Sequence, residues 1–254
     1  MRMFSWRSFR MWQRNRDVFL RLWHSEAPGT IVEPLIILVA MGLGLGAYVT
    51  LTDNQDYIEF IVPGIVCSYA MFSVFGECTY GTFFRMEERK TFDAIIATPL
   101  NVEDVIAGEI FWGATRSLMT GSVILVVALA FQQVDSWWTL LVPFLSFYHG
   151  VMFASIAVFF TSVAPSFYTF NHVFTLFVTP MFFLSGVFFP LSDFPQVVQN
   201  LSWIAPLTPV VHLTRALFEG EFHLIHLVVA GYILLVTIVF FALALFIMRR
   251  RLTV

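Results

Sequence analysis

Residues 224–251 read LIHLVVAGYILLVTIVFFALALFIMRRR: 25 positions (224–248) without Asp, Glu, Lys or Arg, closed by Arg249, Arg250 and Arg251. At about 1.5 Å per residue, a helix over that run crosses a hydrocarbon core of about 30 Å with length to spare. Working back along the chain, further apolar runs lie at residues 31–49, 58–80, 105–131, 137–162 and 170–189. The whole chain of 254 residues is 58% hydrophobic and 12% charged, with a mean hydropathy of +0.80. Soluble domains sit near 45–50% apolar and about 25% charged, so a soluble fold is excluded. The expected class is all-α integral membrane, one domain over residues 1–254. It has six transmembrane helices, an N-terminal amphipathic interface helix at 1–28, and a re-entrant helical hairpin at 190–222 between spans five and six.

The 1–28 segment interleaves Arg2, Arg7, Arg10, Arg14, Arg16 and Arg21 with Trp6, Trp12, Trp23 and several Phe and Met. It lacks the continuous apolar core and small-residue cleavage site of a signal peptide, and its mixture of basic and aromatic residues suits the headgroup zone. Between spans two and three, residues 85–104 read RMEERKTFDAIIATPLNVED. Counting Lys and Arg only, the N-terminal six, Arg85, Arg89, Lys90 and the three tail arginines fall on one side; Arg215 falls on the other and Arg116 within a span. The positive-inside rule then places both termini and the 85–104 loop in the cytoplasm. The formal net charge of −3 hides this segregation, since the opposite face collects acids. With no compact basic module, nucleic-acid binding is excluded.

Most catalytic chemistry is excluded as well. The chain carries no Walker loop, HExxH, GxSxG or CxxC motif, so it cannot hydrolyse ATP by the P-loop route. Cys67 and Cys78 are eleven residues apart in one apolar run, about 16 Å along a helix, too far for a disulfide. His223 and His226 could seat a metal by spacing, but their place at the start of the last span suits interfacial caps; His149 and His172 read as packed histidines. No metal site is expected.

Four ionisable residues fall within spans: Glu33, Glu77, Glu109 and Arg116. Each costs about 2.5–3.5 kcal/mol at a helix centre on insertion scales, so each needs a partner or a function. Arg116 is expected to neutralise an acid, Glu33 or Glu77, with a proton relay or substrate contact as the other reading. Small residues recur at Gly42 and Gly46, and at Gly113, Ser117 and Gly121, spacings that allow close helix contact. Tyr69, Phe72 and Phe75 share one face of span two and form a candidate substrate path, or ordinary packing. In the loop, Phe92, Ile95 and Ile96 before Pro99 are expected to expose an apolar docking patch. The prolines at 190, 195, 206 and 209 leave no uninterrupted span between residues 190 and 222, so short broken helices are expected to dip into the outer half of the bilayer.

These blocks together resemble the permease subunits of ABC-2 type (type V exporter) ABC transporters, and most closely the nodulation-type lipo-oligosaccharide permeases. The resemblance is carried by Glu33-Pro34-Leu35 with Gly42-Leu43-Gly44-Leu45-Gly46, by Glu88-Arg89-Lys90-Thr91-Phe92-Asp93-Ala94, by Gly108-Glu109-Ile110-Phe111-Trp112-Gly113-Ala114-Thr115-Arg116, and by Ser185-Gly186-Val187-Phe188-Phe189-Pro190-Leu191-Ser192-Asp193. More distant members carry Gly immediately before the position of Thr91, where this chain has Lys90. The resemblance implies a permease homodimer bound to two copies of a separate cytoplasmic ATPase, with ATP and Mg on that partner and no cofactor in this chain. It also implies a coupling segment comprising Glu88, Arg89, Lys90, Phe92, Ile95, Ile96 and Pro99, and an extracytoplasmic gate comprising Phe188, Pro190, Pro195, Pro206 and Pro209. The location implied is the bacterial inner membrane. The competing classes are a proton-coupled secondary transporter using Glu77, Glu109 and Arg116, a multidrug exporter, and an intramembrane enzyme, the last disfavoured for want of a nucleophile–base pair.

Overall fold

A computed structural model describes residues 7–46, 48–49, 56–98, 100–134 and 136–252. Every regular element among them is helical. In chain order they are α1 (Ser8–Ile37) running into a π-helical segment (Leu38–Leu45), α2 (Tyr57–Gly76) extended by two π turns to Glu88, and α3 (Thr91–Ile96). Then come α4 (Val102–Ala130), a 3-10 turn (Trp137–Leu141) leading into α5 (Val142–Val163), and α6 (Thr169–Val173) joined through a π segment (Phe174–Val178) to α7 (Thr179–Leu184). A 3-10 turn (Leu191–Asp193), α8 (Gln196–Ser202), α9 (Leu207–Glu219) and α10 (Leu224–Leu252) complete the chain. In a bilayer every backbone N–H and C=O must be satisfied within the segment, which is why apolar runs of this length fold as helices.

Among the described residues, four stretches are long and apolar enough to cross a membrane: 57–88, 102–130, 137–163 and 224–252. The first and fifth expected spans are represented by shorter apolar helices, Val32–Gly42 and Thr169–Leu184. The interface helix and first span, expected as separate pieces, form one unbroken helix from Ser8 to Leu45. Pro28 and Pro34 lie inside it. Proline's fixed φ is helical, so each is accommodated at the loss of its own backbone N–H donor. Residues 1–6, and with them Arg2 and Trp6, lie outside the described residues. Expected span two also runs on, past Tyr80 to Glu88, so Arg85 sits on a helix and not in a loop.

The centre of the bundle is an antiparallel α4–α5 pair with α2 packed across it. Along that seam the ladder Gly113–Ser117–Gly121 meets a second ladder of small residues on α5, Ser146–Gly150–Ala154. The Ser117 hydroxyl donates to the Ser146 carbonyl at 2.7 Å. A Cβ at Gly150 would stand 2.6 Å from Ser117 Cβ and 3.0 Å from the Ala114 Cα, and backbone cannot yield as a side chain can. Gly150→Leu should therefore lower the unfolding free energy by about 1–3 kcal/mol. Gly231→Leu, where nothing lies within 4 Å of the added carbon, should be near neutral; thermal melts of both in detergent check this. At Gly42 an added Cβ would stand 2.8 Å from Ile58 Cγ1, so α1's continuation and α2 also meet closely. The apolar stretch of α2 is 78% enclosed and that of α10 only 17%, so α2 is the core helix and α10 turns most of its apolar surface outward. The thiols of Cys67 and Cys78 are free and buried.

Candidate functional site

The loop between α2 and α4 stands directly on a buried ionic cluster. Arg85, near the end of the α2 extension, forks between two carboxylates: Nη1 donates to Glu77 at 2.8 Å, and Nη2 donates to Glu109 of α4. Glu109 is 1% exposed and accepts two further bonds, from Thr82 Oγ1 at 2.8 Å and from Asn15 Nδ2 on α1 at 2.9 Å. Three helices are thus tied at one point. A guanidinium suits this place because its planar donors reach two acids at once.

Arg116, expected to be the neutralising cation, is secondary: its Nε lies 4.0 Å from Glu77, and its guanidinium stands over the Phe19 ring at 4.7 Å. Glu33, the other acid proposed for it, is exposed on α1 and lies beside the Tyr69 hydroxyl. Arg85 was assigned to the loop because the hydropathy run stops at charge, yet its neighbours Phe83, Phe84 and Met86 carry the helical pattern on. Asn15 and Thr82 gave no signal at all. Burial near the cluster lowers the Arg14 guanidinium from its ordinary value; Glu109 opposes that shift, while Arg85 and Arg89 add to it.

The loop itself departs from the expected exposed apolar patch. Phe92 is completely buried, and Ile95 and Ile96 are half-buried against the bundle core. The short α3 packs against α4 and turns these three side chains inward, where apolar burial outweighs exposure. What faces outward is Glu88, Arg89, Lys90, Ala94, Ala97 and Thr98. Pro99 lies outside the described residues. Lys90 has φ +47°, the left-handed conformation that favours glycine, and its Nζ lies 3.3 Å from Glu87.

At the opposite end of the bundle, the prolines stand at the starts of short helices. Pro190 precedes the 3-10 turn, Pro195 and Pro206 stand at the N-caps of α8 and α9, and Pro209 is in the first turn of α9. A first-turn proline forfeits no intrahelical bond. The loop after α7 is pressed against α2: a Cβ at Gly64 would lie 3.0 Å from the Val187 Cα, and Tyr57 donates to the Phe188 carbonyl at 3.2 Å. Phe188 is buried between Phe182 and Phe183, with ring centroids 4.9 and 5.7 Å away. Gly186 takes φ +75°, and its carbonyl accepts a 2.6 Å bond from Arg215 on α9. Arg215 also lies over the Phe60 ring at 3.8 Å, beside a cavity of about 240 Å³ shared with Glu59, Gln133 and Glu219. Orientation counting singled out Arg215 only as an exception; its bonds make it the latch of this end.

Of the candidate substrate path, Phe75 is fully buried among Phe153, Phe174 and Phe177, with ring centroids 6.0–6.2 Å apart. Tyr69 is nearly buried, and Phe72 packs edge-on to Phe182 at 5.0 Å. Within one chain these three pack the bundle. No group of three or more His, Cys, Asp or Glu placed to hold a metal occurs among the described residues.

The bundle thus has a braced loop at one end and short, proline-initiated helices held by Arg215 at the other. The ABC-2 type transporter family matches residues 2–218. The chain belongs to that family. As an ABC-2 permease it is the membrane component, without an ATPase domain, and membership implies a partner ATPase. It is 35% identical over 212 residues (83% of this chain, 80% of the relative) to nodulation protein J of Sinorhizobium fredii (strain NBRC 101917 / NGR234). Identity to nodulation protein J of Rhizobium meliloti (strain 1021) is 34% over 218 residues (85% and 82%). A more distant relative, at 24% over 212 residues (83% and 82%), is the inner membrane transport permease YadH of Escherichia coli (strain K12). The permease is accordingly a multi-pass membrane protein.

Proposed function

We propose that this ABC-2 permease works as a homodimer on two copies of a cytoplasmic ATPase, exporting a lipid-linked or amphipathic substrate of lipo-oligosaccharide type across the bacterial inner membrane. In this reading there are six crossings, both termini are cytoplasmic, and α1 begins at the interface. The ATPase supplies the ATP and Mg chemistry; this chain turns a push on the 89–101 loop into helix movement.

The observation that carries the reading is the Arg85 cluster. The loop joins the end of α2 to the start of α4, and the cluster ties both helices to α1 immediately behind it. A displacement of the loop therefore moves three helices together. The same saturation argues against a proton relay, since the carboxylates of Glu77 and Glu109 already face arginine. The ATPase would dock on the outward charges Glu88, Arg89 and Lys90, with Phe92, Ile95 and Ile96 fixing α3 from within. At the far end, Phe188 and the segment begun by Pro190, Pro195, Pro206 and Pro209 would form the gate. Similarity to nodulation protein J supports the substrate class.

The Arg89→Glu variant should reduce ATPase co-purification by about tenfold or more, from like-charge opposition at a docking surface, while the permease alone keeps its melting temperature. Substrate-stimulated ATP hydrolysis by the reconstituted complex, run against glycolipids and amphipathic drugs, decides the cargo. A glycolipid response supports the proposed class, and a response to drugs alone replaces it with multidrug export. Transport by the permease alone on a proton gradient would overturn the scheme.

A further inference from the structure

The tail arginines that orient the chain also have specific partners. Arg251, at the end of α10, directs Nη1 at three carbonyls of the α5 C-terminus: Thr161 at 3.0 Å, Ser162 at 3.2 Å and Ala164 at 2.7 Å. Helix C-terminal carbonyls lack intrahelical donors and carry the negative end of the dipole, so a cation there is favoured. The second nitrogen, Nη2, donates to Glu87 at 2.8 Å, and the guanidinium lies 5.7 Å from the Phe83 ring. The other oxygen of Glu87 faces Lys90 Nζ at 3.3 Å. A chain of contacts thus runs from α5 through Arg251 and Glu87 to the left-handed residue that opens the loop. On the loop's far flank, Arg249 Nη1 lies 3.2 Å from Glu103 in the first turn of α4. Glu87 and Glu103 bracket the loop, and both are held by α10.

We infer that the C-terminal arginines clamp the coupling loop: Arg251 and, more weakly, Arg249 grip the acids on either side of it and join α5 and α10 to its movement. The inference rests on the proposed docking role of that loop only for its consequence in transport; the clamp itself concerns this chain alone. Arg251 carries most of it. Its side chain is 23% exposed, against 61% for Arg249, and an exposed pair is screened by water and salt. Membrane orientation would be served by any basic residue at 251, because the rule counts lysine and arginine alike. The clamp needs arginine, since one ammonium cannot reproduce a planar fork serving a carboxylate and a helix end together. Arg250, which lies over the Phe246 ring at 4.3 Å, is the natural control.

The test uses the full chain in proteoliposomes, first alone and then with its ATPase. Arg251→Lys should speed amide hydrogen exchange in residues 91–98 by about threefold or more, because the local opening equilibrium shifts. Glu87→Gln, which keeps every arginine and the α5 cap, should do so to a lesser degree, and Arg250→Lys should match the wild type. In the assembled complex, substrate moved per ATP should fall by about fivefold for Arg251→Lys with ATPase retention unchanged, the mark of lost coupling between two sites. Wild-type exchange in both Arg251→Lys and Glu87→Gln would overturn the clamp. If Arg251→Lys fails to accumulate, Glu87→Gln alone decides. Faster exchange with unaltered transport per ATP would leave the clamp standing and remove the docking role of the loop.

Discussion

Replacing Arg85 with Ala should prevent the permease from accumulating in folded form, whereas Arg116→Ala should be tolerated. Removing one partner from a buried ionic set costs about 3–5 kcal/mol, because the remaining charges stay buried without compensation. Arg85→Ala takes the cation from Glu109, at 1% exposure, and leaves Glu77 only its 4.0 Å contact with Arg116, a loss comparable with a large part of the stability of a typical domain, about 5–15 kcal/mol. Arg116 is the weaker partner of Glu77 at 4.0 Å, so its loss leaves the Arg85 fork intact. Arg85→Lys should fall between the two, keeping charge and losing the second arm. Adding Glu109→Gln to Arg85→Ala should restore part of the protein, since a neutral amide can still accept from Asn15 and Thr82. Detergent size-exclusion profiles and melting curves of the four variants check this ordering; an Arg116→Ala loss equal to that of Arg85→Ala would contradict it.

Arg215→Ala should free the loop of residues 185–190 and, if this end is the proposed gate, let it leak. The guanidinium bonds the Gly186 carbonyl at 2.6 Å and covers the Phe60 ring. Without it, a buried carbonyl at a left-handed glycine loses its donor, a cost of about 1–3 kcal/mol. Because α9 packs on α2 through apolar side chains that remain, the bundle should fold while the loop loosens. The expected signature is leakage of a small polar dye from proteoliposomes together with raised basal ATP hydrolysis. Arg215→Lys should leak less, and Asp193→Ala, on the exposed turn, should not leak. A sealed Arg215→Ala vesicle with normal transport would refute the latch.

Much of this architecture is legible along the chain because it is local. The run at 224–248 is long and apolar by itself. The ladder Gly113–Ser117–Gly121 announces close contact, and the prolines at 190, 195, 206 and 209 mark the segment that cannot span unbroken. Helix ends were harder: charge at Arg85 ended the hydropathy run, but a paired charge does not end a helix. The boundary expected between the 1–28 helix and the span from residue 31 is absent, because the helix runs through it unbroken.

The pairings depended on the tertiary structure. Sequence alone determined that this is a membrane protein, that its basic residues segregate, and that a charge within a span needs a partner, because transfer from water to hydrocarbon is costly for each residue wherever its neighbours lie. It could not name the partner. Glu109 meets Arg85 and Asn15 only because α1, α2 and α4 converge, and Phe92 turns inward because α3 packs against α4. Arg251 reads as a topological charge until α10 brings it to the end of α5. Coulombic and hydrogen-bond energies act over a few ångströms, and which side chains come that close is decided by helix packing.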